Sequence, residues 1–116
     1  MRYAFLLFMI IFALPVQAFE PRFFNSLHDI PIMEGLVEIE EAAISFDKAN
    51  GRIAQARAMS EDLTQSTIIQ FYDKTLPQMG WIQQSTGLYQ REMEQLRLSF
   101  ESEQGFLLML LMLAPK

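Results

Sequence analysis

Hydrophobic and polar positions along the chain change period several times, and each change marks an element. From Leu36 to Asp47 they alternate: Val37 and Ile39 against Glu38 and Glu40, then Ala42, Ile44 and Phe46 against Ala43, Ser45 and Asp47. The two runs are out of phase by one residue. A one-residue shift sends a strand's side chains to the opposite face, so the pattern predicts a strand with a bulge or break near Glu40-Glu41. Asn50-Gly51 then predicts a hairpin turn, since both residues tolerate positive φ. Arg52 to Met59 returns as the second strand, with Ala54, Ala56 and Ala58 on one face. Small side chains there let a helix approach closely.

That helix is predicted over Gln65 to about Leu76. Ile68, Tyr72, Leu76 and Met79 fall on one face at a helical period. Thr64 stands where its hydroxyl can take a free first-turn N–H, and Gly80 where a left-handed residue closes the helix. Pro77 disfavours helical geometry at Leu76, which predicts a distorted last turn up to Met79. Trp81 then opens a run of short strands. Trp81 to Ser85 turns at Ser85-Thr86-Gly87, Leu88 to Met93 turns near Glu94-Gln95, Leu96 to Glu101 turns at Ser102 to Gly105, and Phe106 to Ala114 ends at Pro115-Lys116. The expected fold is α+β, with an antiparallel sheet of about five or six strands packed on one main helix in the order β-β-α-β-β-β-β.

Several of these residues form a set: Phe71-Tyr72, Leu76-Pro77 and Gly80-Trp81, preceded by Asp29 to Met33, Phe46-Asp47 and Gly51 to Ile53. The set resembles one found in small uncharacterised proteins exported by bacteria. The resemblance implies an α+β fold and an export route, and it brings no catalytic residue with it.

The first eighteen residues read as an export signal independently of that resemblance. Arg2 precedes the apolar run Tyr3 to Leu14, Pro15 breaks it, and Val16-Gln17-Ala18 fits a small-residue cleavage site. The run falls short of the roughly 20 apolar residues of a spanning helix. The expected organisation is a cleaved signal over 1–18, an apolar arm over 19–36 and the α+β domain over 37–116, with no transmembrane span after cleavage. Export to the periplasm of a Gram-negative bacterium is the expected destination. The arm is interrupted by Pro21 and Pro31, yet Phe23, Phe24, Leu27, Ile30, Ile32 and Met33 make it too apolar for a free tail.

Composition narrows the chemistry. The chain has no cysteine, which removes disulfides, thiolate metal sites and lipoprotein acylation. Its formal charge is −5 and its basic residues are scattered, so it makes a poor partner for nucleic acid or anionic lipid. No phosphate loop, nucleophile elbow or zinc-binding helix motif is present, and no cofactor is implied. His28 is the sole histidine, beside Asp29. Glu38, Glu40 and Glu41 read as a solvated strand face rather than a cation site, since calcium needs six or more oxygens in a shaped loop. Glu92 and Glu94 are the nearest thing to a carboxylate pair. The expected function is a non-catalytic binding or assembly module of the bacterial envelope. The alternatives are a small carboxylate-based hydrolase or lyase and an inhibitor of an envelope enzyme.

The last strand carries the binding expectation. Phe106, Leu108, Leu110, Met112 and Ala114 alternate with Leu107, Met109, Leu111 and Leu113, so both faces are apolar. A two-layer domain needs only one. Leu107, Met109, Leu111 and Leu113 are the candidate contact residues. The Phe19–Met33 arm ranks first as the cover for the second face, a second copy of the chain ranks next, and an apolar ligand or envelope protein third.

Overall fold

The computed structural model describes residues 22–116; the expected signal segment lies outside them. Nine strands, one α-helix and two 3-10 turns are formed among the described residues. The class is α+β, as expected, but the strand order is richer than six strands around a helix. Strands β1 (Arg22–Phe23) and β2 (Pro31–Ile32) fold the arm into a small antiparallel hairpin. The predicted first strand divides into β3 (Val37–Glu38) and β4 (Ile44–Lys48), separated by a 3-10 turn over Glu40–Ala42. The phase slip thus resolves as a break at the position where the pattern required one.

The long strand β5 (Gly51–Ser60) pairs with β3 and β4 along one edge and with the last strand, β9 (Phe106–Pro115), along the other. Beyond β9 lie β8 (Glu94–Glu103), β7 (Leu88–Arg91) and β6 (Ile82–Ser85), all antiparallel. The resulting seven-stranded sheet runs β3-β5-β9-β8-β7-β6, with β4 also on β5. Two turns move from their expected places. The β7–β8 turn falls at Glu92-Met93, ahead of Glu94-Gln95, and Glu92 takes a positive φ of 53°. β8 continues through Ser102-Glu103 and turns at Gln104-Gly105.

Helix α1 (Gln65–Thr75) has the predicted ends. The Thr64 hydroxyl accepts from the Thr67 N–H at 3.2 Å. Leu76–Met79 tightens into a 3-10 turn at Pro77, and Gly80 closes it at φ 93°, where the Trp81 N–H reaches back to the Leu76 carbonyl at 3.1 Å. Only glycine holds that conformation without a steric penalty. Ile68, Tyr72 and Leu76 are fully buried and join the alanine row Ala54, Ala56 and Ala58 in one core cluster.

The arm packs on this same side. Phe24, Leu27, Ile30, Ile32 and Leu36 join the core cluster with the alanines and the helix. The Tyr72 hydroxyl, buried beneath it, donates to the Pro31 carbonyl at 2.8 Å, and the Ser26 hydroxyl donates to the Gln55 carbonyl at 2.8 Å. Helix and arm together therefore form one layer over one face of the sheet. The expectation that the arm covers the second face of β9 is overturned. One helix presents an apolar stripe too narrow to shield a sheet this wide, and the arm's large side chains complete that inner layer.

Candidate functional site

The two faces of the sheet follow from the ladder register, because directly paired residues of antiparallel strands point to the same side. Ala54, Ala56 and Ala58 pair with Leu113, Leu111 and Met109, which pair in turn with Leu96, Leu98 and Phe100. This is the inner face. Met109, Leu111 and Leu113 are wholly buried there and Leu107 packs at its edge. Three of the four residues expected to contact a ligand are thus core residues, and the fourth, Leu107, is half-buried at the core's edge. Parity along a strand separates two faces but does not say which one meets the helix.

The outer face holds the other set. Across it run three consecutive rows: Ile44, Gln55, Met112 and Arg97; then Arg57, Leu110 and Ser99; then Val37, Met59, Leu108 and Glu101. Phe46 beside Ile53 extends it at one side, and Ile82 beside Gln90 at the other. Seven large hydrophobic side chains are exposed among the described residues, and five of them, Val37, Ile44, Phe46, Ile82 and Met112, lie on this face. Scattered apolar exposure is ordinary, whereas exposure gathered onto one surface marks an interaction site. Ile53, Met59, Leu108 and Leu110 fill the ground between them, half-buried by their neighbours.

The face is broad and shallow. A depression between Arg57, Ser99, Glu101, Leu108 and Leu110 holds about 40 Å³, and one beside Gln95, Arg97, Met112 and Ala114 about 170 Å³. Small-molecule sites enclose roughly 300–1,000 Å³, so the shape suits a flat macromolecular surface better than a small apolar ligand.

Charged groups of the inner side gather at one end, where the arm meets the sheet. Asp29 of the arm accepts a hydrogen bond from Arg91 and lies 3.7 Å from Arg52, whose Nε donates to Glu94 at 3.1 Å. The Arg91 guanidinium also stacks over the Trp81 ring, 4.3 Å from its centroid, and donates to the Met79 carbonyl at 3.2 Å. Partial burial pulls the Asp29 carboxyl upward, but the Arg91 hydrogen bond and charge outweigh it and leave the pKa below the ordinary value. Arg91 thus links the arm, the closing turn of the helix and the tryptophan. Glu92 and Glu94 bracket the β7–β8 turn: Glu94 is engaged by Arg52 while Glu92 is exposed.

Elsewhere the Tyr89 hydroxyl donates to Asp73. Burial, then that hydrogen bond and the Asp73 charge, push its pKa up. Burial likewise raises Tyr72. Both hydroxyls stay protonated and act as interior hydrogen-bond donors. His28 is exposed on the arm. No cluster of three or more potential metal ligands occurs among the described residues, and none of their helices is long and apolar enough to cross a membrane.

No protein-family model, curated protein or solved structure matches the chain.

Proposed function

We propose that this protein is a non-catalytic binding or assembly module of the bacterial envelope and that the outer sheet face is its working surface. The observation that carries the reading is the concentration of exposed apolar side chains on that face, opposite a complete core. The envelope assignment rests on the leader-like segment over Arg2 to Ala18 and on the resemblance to small exported bacterial proteins. A chain exported in this way begins at Phe19, which the mass of the processed protein checks; an intact Met1 terminus would contradict cleavage.

The binding surface is tested by a photo-reactive side chain installed at Met112 or, as a control, at Gln70 on the solvent side of α1. Irradiation in the producing cell is expected to give discrete adducts from Met112 and none of the same mass from Gln70. Equal adducts from both positions, or none from Met112, would remove the outer face as the working surface.

A further inference from the structure

We infer that the outer face packs against the same face of a second copy of this chain. The inference rests on the reading of that face as a binding surface and names its occupant.

The first ground is size. β5, β9 and β8 are ten residues long each, so with a flanking strand the face measures roughly 30 Å by 20 Å, or about 600 Å² in projection. The real surface is larger than its projection. A stable interface takes about 800 Å² from each partner. Two twisted sheets stack face to face about 10 Å apart with interdigitating apolar side chains, and the shallow relief of this face fits such stacking.

The second ground is charge. The row containing Met112 carries Arg97, the row containing Leu108 carries Glu101, and the row of Leu110 and Ser99 lies between them. Neither Arg97 nor Glu101 enters any of the ion pairs formed among the described residues. A two-fold axis laid along the middle row exchanges the two rows beside it. It places Arg97 of each copy against Glu101 of the other, twice by symmetry, and sets Met112 against Leu108. Isologous packing of this kind requires a surface complementary to itself, and the spacing of these charges about the Leu110 row supplies that. The same axis brings Arg57, at the β5 end of the middle row, near its own copy. This is a local repulsion, and it gives the geometry a second, opposite signature.

The test uses the chain expressed with its leader and purified after export, with the dissociation constant followed by analytical ultracentrifugation. Wild type is expected to be a dimer. Arg97→Glu is expected to weaken it about tenfold or more, the scale of a close interfacial charge pair. Arg97→Glu combined with Glu101→Arg restores it to near the wild-type value. Arg57→Leu tightens it. Because Arg97, Glu101 and Arg57 are exposed, each variant keeps its fold, verified by its melt at a dilution where the chain is monomeric. A dimer unaffected by Arg97→Glu, or not restored by the double exchange, overturns the inference. So does a wild-type monomer at high concentration. In that last case a hydrophobic dye separates the two levels of the reading. Strong dye binding abolished by Met112→Asp leaves the face a binding surface for another partner, whereas no dye binding removes that broader reading as well.

Discussion

The two faces of strand β9 are almost equally apolar in composition and opposite in fate. Leu107, Met109, Leu111 and Leu113 enter or edge a core closed by the helix and the arm, whereas Leu108, Leu110 and Met112 lie on the opposite face, outside the core cluster of the described residues. The hydrophobic effect scales with area removed from water, so it treats the two sets alike until something covers them. What distinguishes them is their neighbours. The inner set shares its rows with alanines, leucines, Phe100 and the uncharged Ser60 and Ser102, and the outer set with Gln55, Arg57, Arg97, Ser99 and Glu101. Where no charged side chain flanks β9 the row is sealed by the helix and arm, while an outer row interleaved with charges can stand in water and still present apolar area to a partner. Which face of such a strand stays outside the core is thus marked by the mixed rows beside it more than by the strand itself.

The sharpest way to break this contrast is a pair of adjacent substitutions on the one strand. Leu111→Asp places an unpaired carboxylate in a site with no exposure, and is expected to cost about 4 kcal/mol or more. Domains of this size hold only about 5–15 kcal/mol in all, so the melt of the purified variant followed by circular dichroism should fall by about 15 °C or more. Met112→Asp, one residue later, should alter the monomer's stability by no more than about 0.5 kcal/mol. Comparable losses from both would mean that the faces are not distinct.

Next in size is Trp81→Ala. The ring is 1% exposed, sits between the closing turn of the helix and the sheet, and carries the Arg91 guanidinium on its face. Its removal leaves a large void and is expected to cost about 3–5 kcal/mol. Chemical denaturation should show a lower midpoint, together with stronger dye binding as the inner layer loosens. A midpoint close to wild type would place Trp81 outside the structural core.

How much of this contrast was legible in sequence depends on the distance over which each feature is decided. Thr64, Pro77 and Gly80 act within one turn of the helix, and they alone place its start, its distortion and its end. The phase slip at Glu40-Glu41 is equally local. The alanine row marks the buried side of β5, but transferring that knowledge to β9 requires the pairing of Ala54 with Leu113, almost sixty residues away. Without that register the two faces of β9 cannot be assigned, which is why Leu107, Met109, Leu111 and Leu113 read as a contact surface. The turn at Glu92-Met93 was hidden because a glutamate takes the positive φ that the pattern reserves for glycine or asparagine. Ser102 and Glu103 read as a turn because the far end of a long hairpin is wet on both sides. The ion cluster joins residues 42 and 62 positions apart and leaves no local trace.

The smallest effect concerns the edge of the sealed face. Asp29 pins the arm to Arg91 and Arg52, and its pKa in the folded chain lies below the ordinary value of 3.8. A carboxylate with a depressed folded pKa contributes stability that is fully present above its unfolded pKa and is lost as the pH falls through the folded one. The contribution of this pair therefore persists down to about pH 4 and disappears below it. It is modest, since Asp29 remains about one-third exposed and solvent screens the interaction. Asp29→Asn removes the titration while keeping the shape of the side chain. At neutral pH the variant should melt slightly below wild type, and the difference between the two should shrink as the pH is taken from 5 towards 3. Dye binding should report the same event from the inner side: wild type gains signal in that window as the arm loosens, and Asp29→Asn already shows it at pH 7. If the two melting curves stay parallel across the range, the arm is held by its buried side chains alone and the ion cluster adds nothing to the seal.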